Sequence, residues 1–358
     1  MRSVYIHIPF CNTICSYCDF AKVLYKKHIV DKYLEQLDKE IKAYYLKDKI
    51  KTLYIGGGTP SFLSIEQLKK LFKIIKQFNL NECLEFSFEC NIEDLTLEKL
   101  IILKENGVNR LSIGIETINK HLLKKLNRNY NINIKETIFK AKALGFNNIN
   151  VDLIYAIPTQ KYKDLINDLK FICSLNIEHI SFYSLIIEKN TLFYINKVKP
   201  ISDTLDYKMY NIIINTLKKH QYNHYEISNA SKVGYESKHN LTYWNNEEYY
   251  GFGLGSHGYI NNIRYENTRS IDKYLKGKYK YKHHHLTKKQ TMENHMILGL
   301  RKIEGINKKQ FKNKYNIDIK DIFNTNKLIE TNDNFLIPYD KIYISNEILI
   351  DFIGDDYD

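Results

Sequence analysis

Cysteine is scarce in this chain, with six among 358 residues, and three of the six, Cys83, Cys90 and Cys173, stand alone. So thin and scattered a set excludes the disulfide framework of a small secreted domain and leaves these three as core thiols or bystanders. A charged n-region followed by an apolar h-region is missing, as is any unbroken apolar stretch of spanning length. A signal peptide and a membrane helix are thereby excluded. The chain reads as a soluble protein of a reducing cytoplasm. Positive charge is plentiful, at net +12, but no basic tract gathers it. The lysines spread along helical faces of a chain flooded throughout with Lys, Asn, Ile and Tyr, so a nucleic-acid partner is not indicated. A hydrophobic content of 44% over this length supports one large core and a second, smaller domain.

What is present is concentrated near the start. Cys11, Cys15 and Cys18 stand in Cys-x-x-x-Cys-x-x-Cys, directly after the strand-like run Val4 to Phe10. Three thiolates on one short loop can each bind one iron of a [4Fe–4S] cube and leave the fourth iron open to a small molecule. The alternative is zinc, which in a structural site needs four closed ligands. No fourth Cys or well-spaced His follows Cys18 before His28.

Strand patterns alternate with amphipathic helical patterns through the first half, as expected of βα units around a parallel sheet. Strands are predicted at Val4–Ile8, Thr52–Ile55, Leu84–Glu89, Arg110–Gly114, Asn148–Ile154 and His179–Ile187. Helical stretches are predicted at Ile29–Tyr45, Ile65–Phe78, Thr96–Asn106, Ile132–Leu144 and Lys163–Leu175. The fold class is α/β, a complete or partial βα barrel. The polar oddities fall at or near strand C-termini, the face on which such barrels build sites. The cysteine loop follows the first strand, and Gly56-Gly57-Gly58-Thr59-Pro60-Ser61 the second. Glu89 ends the third, Glu116 follows the fourth and Asp152 lies in the fifth. Beyond the barrel, helices at Lys288–Leu300 and Lys308–Tyr315, a hairpin of Phe335–Pro338 with Lys341–Ile344, and a last helix near Ser345–Ile353 outline a small α+β domain. The expected division is a core barrel over 1–225, a connecting segment over 226–285 and the small domain over 286–358.

These residues carry a resemblance. Tyr5 to Cys11, the three-cysteine loop, Gly56 to Ser61, Gly107 to Gly114, Asp152 to Tyr155 and Tyr225 to Asn229 together resemble the radical S-adenosylmethionine (SAM) proteins of the oxygen-independent coproporphyrinogen III oxidase family. The resemblance implies a partial (β/α)6 TIM-like barrel and a C-terminal α+β domain similar in outline to winged helices, which alone does not establish DNA binding. It also implies a [4Fe–4S] cluster on Cys11, Cys15 and Cys18, with SAM chelating the open iron. Position by position it puts Tyr5, Tyr17, Gly57, Gly58, Thr59, Glu89, Glu116, Arg128 and Asp152 in contact with SAM. Glu116 departs from the family's usual glutamine, Ile92 from proline, and Ala156 and Thr159 from glycine.

Two features resemble the family's heme chaperone branch. Cys18 is followed by Asp19-Phe20 where the oxidase branch continues Cys-x-Cys, and the barrel starts at the first residue with no extension before it. A third pointer is His239-Asn-Leu-Thr-Tyr-Trp244, similar to the His-Asn-x-x-Tyr-Trp motif associated with heme in that branch. It would make His239 an axial heme ligand, with Tyr243 and Trp244 packing on the porphyrin. The expected function is to bind heme and pass it to an acceptor hemoprotein, which could be membrane-associated. The alternative is a coproporphyrinogen III oxidase drawing on an electron donor to cleave SAM. His257 faces the cavity or a local hydrogen bond, and His283, His284 and His285 form a solvated patch.

Overall fold

The computed structural model describes residues 1–354, apart from the side chain of Cys83. Six parallel strands form its centre: β1 (Arg2–Ile8), β2 (Lys49–Gly57), β3 (Asn79–Asn91), β4 (Arg110–Glu116), β5 (Ile149–Tyr155) and β6 (His179–Ser184). They pair in chain order. One residue in two along each strand is apolar and packs outward. Val4, Ile6 and Ile8 of β1 and Leu111, Ile113 and Ile115 of β4 are fully buried there, under the helices that link the strands.

Those helices carry their own signals. In α1 (Lys27–Tyr44) the residues Val30, Tyr33, Leu34, Leu37 and Ile41 recur at three- and four-residue spacing and are buried, the stripe that a helix lays on a sheet. α2 (Ile65–Ile75) starts at a capping box in which Ser64 Oγ accepts from the Gln67 N–H at 3.3 Å and Gln67 Oε1 accepts from the Ser64 N–H at 3.1 Å. Each satisfies an N–H that the first turn leaves without a partner. α3 (Leu97–Glu105), α4 (Lys120–Lys125), α5 (Ile134–Ala143), α6 (Tyr162–Ser174) and α7 (Asp203–Lys219) complete the layer.

The sheet continues past both ends of this set. β7 (Asn223–Glu226) and β8 (Asn229–Ser231) add antiparallel strands beside β6. On the opposite edge β9 (Tyr249–Phe252) runs parallel to β1, followed by β10 (His257–Ile260), β11 (Ile263–Asn267) and β12 (Lys280–His285). With β9 on β1 and β8 on β6, the six strands never close on each other. The fold is a partial (β/α)6 barrel, as expected. The glycine-rich run from Gly251 is the end of β9 and its exit. A Cβ at Gly251 would fall 1.8 Å from the His257 carbonyl oxygen, so no other residue fits there. His257 is exposed, as are His283, His284 and His285 on the edge strand β12.

In the small domain α9 (Lys288–Gly299) and α10 (Lys308–Tyr315) stand where the spacing puts them. The hairpin does not. Phe335 pairs with Glu330 and Ile306 in a three-stranded antiparallel sheet, and Lys341–Ile344 lies in a 3-10 helix. Pro338 removes a ladder donor at that point, so the partner comes from before the turn rather than after it. The last helix is split into a short α turn at Asn346–Leu349 and a 3-10 turn at Ile350–Phe352. Among the described residues no helix is long and apolar enough to cross a membrane.

Candidate cofactor site

The inward residues of the six strands are polar and stack in register. From the floor upward the layers are Ser3, Thr52 and Glu85; then Tyr5, Tyr54, Ser87 and Arg110; then Glu89, Ser112, Asn150 and His179; then Asn91, Gly114, Asp152 and Ser181. Such alternation is the period-two signature of a sheet with an apolar and a polar face. The alternation is visible in the sequence, yet only Tyr5, Glu89 and Asp152 of this set stand out there as site residues.

At the mouth, the cysteine loop is held from several sides. The N–H groups of Gly58 and Thr59 donate to the carbonyls of Ile8 (2.8 Å) and Phe10 (2.9 Å), and those of Val23 and Tyr25 to Pro9 (2.7 Å) and Cys11 (2.9 Å). The segment after α4 supplies the Leu126 carbonyl to the Ser16 N–H (3.0 Å) and the Asn127 amide to the Ile14 carbonyl (2.8 Å). The loop, tied at its base by a short parallel pairing of Phe10–Cys11 with Val23–Leu24, thus has a fixed path, which a cluster on three of its side chains requires.

The glycines serve the protein's own packing. A Cβ at Gly58 would sit 2.7 Å from the Pro9 carbonyl carbon and 2.9 Å from Cys11 Sγ. At Gly57, with φ of 121°, it would meet the His7 ring at 2.6 Å, and at Gly56 the Glu89 carboxyl at 2.6 Å. The bare backbone lets the second βα loop close onto the first.

All the described cysteines are free thiols, Cys11 buried and Cys15 and Cys18 half-buried. Burial pushes Cys11 up to about 11 and Cys15 up to about 12, and raises Cys18 as well. Among the described residues no group of three or more His, Cys, Asp or Glu converges on a single-ion site. A cube fits this donor set because each thiolate serves a different iron, whereas zinc asks four donors to meet at one point.

Beside the cysteines lies a buried ion pair. Arg128 Nη1 donates to Glu116 Oε1 at 2.8 Å, and Nη2 to Asn91 Oδ1 at 3.1 Å and the Gly114 carbonyl at 3.3 Å. Both side chains of the pair are under one-tenth exposed. The Tyr17 hydroxyl donates to the same Glu116 oxygen at 3.5 Å. Glu116 Oε2 is buried with no partner, an acceptor left for something the protein does not supply. Burial, only partly opposed by Arg128, lifts Glu116 to about 7. Its backbone sits at φ 56°, in the left-handed region that costs a non-glycine residue strain. One layer deeper Glu89 accepts from the Tyr54 hydroxyl at 2.8 Å and the Gly57 N–H at 2.7 Å. Burial lifts it to about 7 as well. Asp152 accepts from Asn150 at 2.8 Å and Ser112 at 3.5 Å. Tyr5 donates to His7 Nδ1 at 2.9 Å, since His7 Nε2 gives its proton to the Ala21 carbonyl at 2.7 Å. The unpartnered Glu116 oxygen and the three thiols fit a cluster with SAM at this mouth.

Comparison with known proteins gives this geometry its context. The model of the radical SAM superfamily matches residues 5–172, and that of the HemN C-terminal domain residues 286–335. Heme chaperone HemW of Bacillus subtilis (strain 168) is 42% identical over 90% of this chain and 89% of its own. Heme chaperone HemW of Lactococcus lactis subsp. lactis (strain IL1403) is 41% identical over 90% of this chain and 87% of its own. The chain belongs to the HemW family of radical SAM proteins. Among solved structures, coproporphyrinogen III oxidase (HemN) from Escherichia coli, a radical SAM enzyme, superimposes with a TM-score of 0.87 over 99% of this chain and 90% of its own, at 21% identity. That likeness concerns the fold.

His239, the expected heme ligand of this HemW-family chain, sits at the opposite end of the barrel from the cysteines. Its motif reads as a loop in the sequence and stands instead in a short helix, α8 (Lys238–Trp244), that closes the floor. Glu85 accepts from the N–H groups of Lys238 and His239, both at 2.9 Å, and Ser3 and Thr242 join hydroxyls at 2.9 Å. His239 is 1% exposed, with Nδ1 2.8 Å from Thr52 Oγ1 and Nε2 2.7 Å from the Tyr243 hydroxyl. Burial, with Arg110 adding to it, drives the ring down to about 3, so it is neutral. Coordination of iron by Nε2 would require the Tyr243 contact to break. Residues the sequence does not bring forward also shape the site. Asn91 holds Arg128, and Asp168 accepts from the Ile118 N–H at 2.8 Å and the Thr117 hydroxyl at 2.9 Å, anchoring the exit of β4 just past Glu116.

Proposed function

We propose that this chain is a heme chaperone of the cytoplasm, with a [4Fe–4S] cluster on Cys11, Cys15 and Cys18, and SAM lodged among Tyr5, Tyr17, Thr59, Glu89, Glu116, Arg128 and Asp152. It binds heme and passes it to an acceptor hemoprotein, free or membrane-associated. The observation that carries the reading is the identity above 40% with proteins named heme chaperones, over nine-tenths of this chain. Asp19-Phe20 after Cys18 agrees with it. When bound, a cluster of this type supplies an open iron on which SAM is chelated. The chain's own part is to fix three thiolates on a braced loop, present the free Glu116 oxygen to a donor and offer the buried carboxylates Glu89 and Asp152 as further acceptors. Gly57 and Gly58 act by closing the two loops together. Residues 1–225 form the cofactor-bearing core, 226–285 the connection and 286–358 the outer domain.

The test is an anaerobic titration of cluster-loaded protein with heme, followed at the Soret band, and then transfer to an apo-hemoprotein. Saturation near one heme per chain and transfer are expected. An unchanged Soret position in His239→Ala would place the iron ligand elsewhere. No specific heme binding, together with 5′-deoxyadenosine formed from SAM and coproporphyrinogen III with an electron donor, would replace the chaperone by the oxidase.

A further inference from the structure

The barrel floor holds a charge that the cofactor site does not use. Arg110, the first residue of β4, turns inward and is 2% exposed, one of the largest fully buried side chains of the protein. Its guanidinium makes no hydrogen bond or ion pair among the described residues, and its Nε is buried without a partner. A guanidinium does not shed its proton in a protein, so this is a buried cation with no carboxylate paired to it and only through-space attraction to Glu89 and Asp152, a costly state.

Beside it in register, on β3, is Ser87, whose hydroxyl is completely buried and also without a partner. The carboxylates of the lumen are engaged elsewhere. Glu85 holds the start of α8, Glu89 holds Tyr54 and the Gly57 N–H, and Asp152 holds Asn150 and Ser112. Glu89 and Asp152 feel Arg110 through space and do not pair with it. Two adjacent groups able to donate, one of them a charged fork, therefore lack an acceptor. A carboxylate offers two coplanar oxygens and the missing charge.

We propose that Arg110 and Ser87 form a carboxylate-binding seat on the barrel floor, one that receives a propionate arm of heme. The identity of that arm rests on the chaperone reading; the seat does not. Ser87 lies two residues below Glu89 along β3, about 7 Å deeper.

The test titrates cluster-loaded protein anaerobically with heme and with heme dimethyl ester, for wild type, Arg110→Met and Arg110→Lys. Wild type is expected to favour heme by at least about tenfold, Arg110→Met to bind both alike, and Arg110→Lys to keep part of the preference. A second arm follows thermal unfolding of wild type in millimolar propionate or propionamide, with a rise in midpoint expected for propionate alone. A propionate effect without ester discrimination keeps the seat and assigns it to a free small carboxylate. A propionate effect in a protein that binds no heme keeps the seat and removes the chaperone reading. Absence in wild type of both the ester discrimination and the propionate effect would overturn the seat, whether or not either variant folds.

Discussion

The helix that closes the barrel floor and the mouth of the barrel differ in how their histidine and carboxylate side chains are paired. At the floor, α8 is capped by Glu85, and both nitrogens of His239 are taken by Thr52 and Tyr243. At the mouth Glu116 keeps an oxygen with no partner and sits at a strained φ of 56°, beside three free thiols. A folded chain leaves buried polar atoms unpaired only rarely. The contrast therefore separates the paired Glu85 and His239 contacts, which hold α8 in place, from groups that wait for ligands, Glu116 at the mouth and Arg110 and Ser87 in the layer above α8. It also shows why one motif can be read two ways: a histidine flanked by aromatics serves a heme iron or a barrel floor with the same sequence.

The contrast breaks most visibly at the cysteines. Cys15→Ala should lose the broad visible absorption of the anaerobically reconstituted protein while the unfolded-state baseline and the fold stay as they are. Retention of four irons per chain by that variant would sink the cluster assignment. At the floor the effect should fall on stability instead. His239→Ala leaves Thr52 and Tyr243 without a partner beside a cavity and should cost roughly 2–4 kcal/mol in urea unfolding of the apoprotein. A cost near zero would mean that α8 is not a structural plug.

Acid sharpens the same point. Burial holds His239 down to about 3 and His7 down to about 4, against about 6.5 in the unfolded chain. Their folded values being the lower ones, the stability they contribute is complete above pH 6.5 and is lost as pH falls toward 4, by up to about 1.4 kcal/mol per group per pH unit. Apoprotein urea midpoints measured from pH 7.5 to 5 should decline, and His239→Gln should make the decline shallower. An equal slope in that variant would show that His239 is not buried neutral.

The smallest effect concerns the loop after β5. Ala156 and Thr159 adopt φ of 59° and 75°, where the family commonly has glycine, and a Cβ there is strained. Ala156→Gly should stabilise by about 0.5–1 kcal/mol, read as a higher urea midpoint. A lower midpoint would show that the buried methyl outweighs the strain.

These two positions also mark how far the sequence could be read. That Ala and Thr stand where the resemblance implies glycine is legible; that the backbone turns left-handed there is not, because φ is set by where β5 must exit. The six parallel strands and five of their helices are legible, since periods of two and of three to four residues report which face is buried without reference to any partner, while α4 and α7 are not foreseen. The added strands β7 to β12 are not, for they are short, and their pairing with the barrel edges is a long-range choice. The C-terminal hairpin goes astray for the same reason: by sequence alone Phe335 pairs forward across Pro338, and in the structure its partners lie behind it.

The sequence by itself determined the three thiols on one loop, the polar positions that alternate into the lumen and the apolar faces that build the barrel around them. Spacing and periodicity are local properties of a chain, so they survive being read without coordinates. Only the tertiary structure decided that Glu116 spends one oxygen on Arg128 and keeps the other, that both nitrogens of His239 are taken, and that Arg110 has no carboxylate paired to it. Those are facts of pairing, and whether a buried charge has a partner depends on every strand that could have brought one.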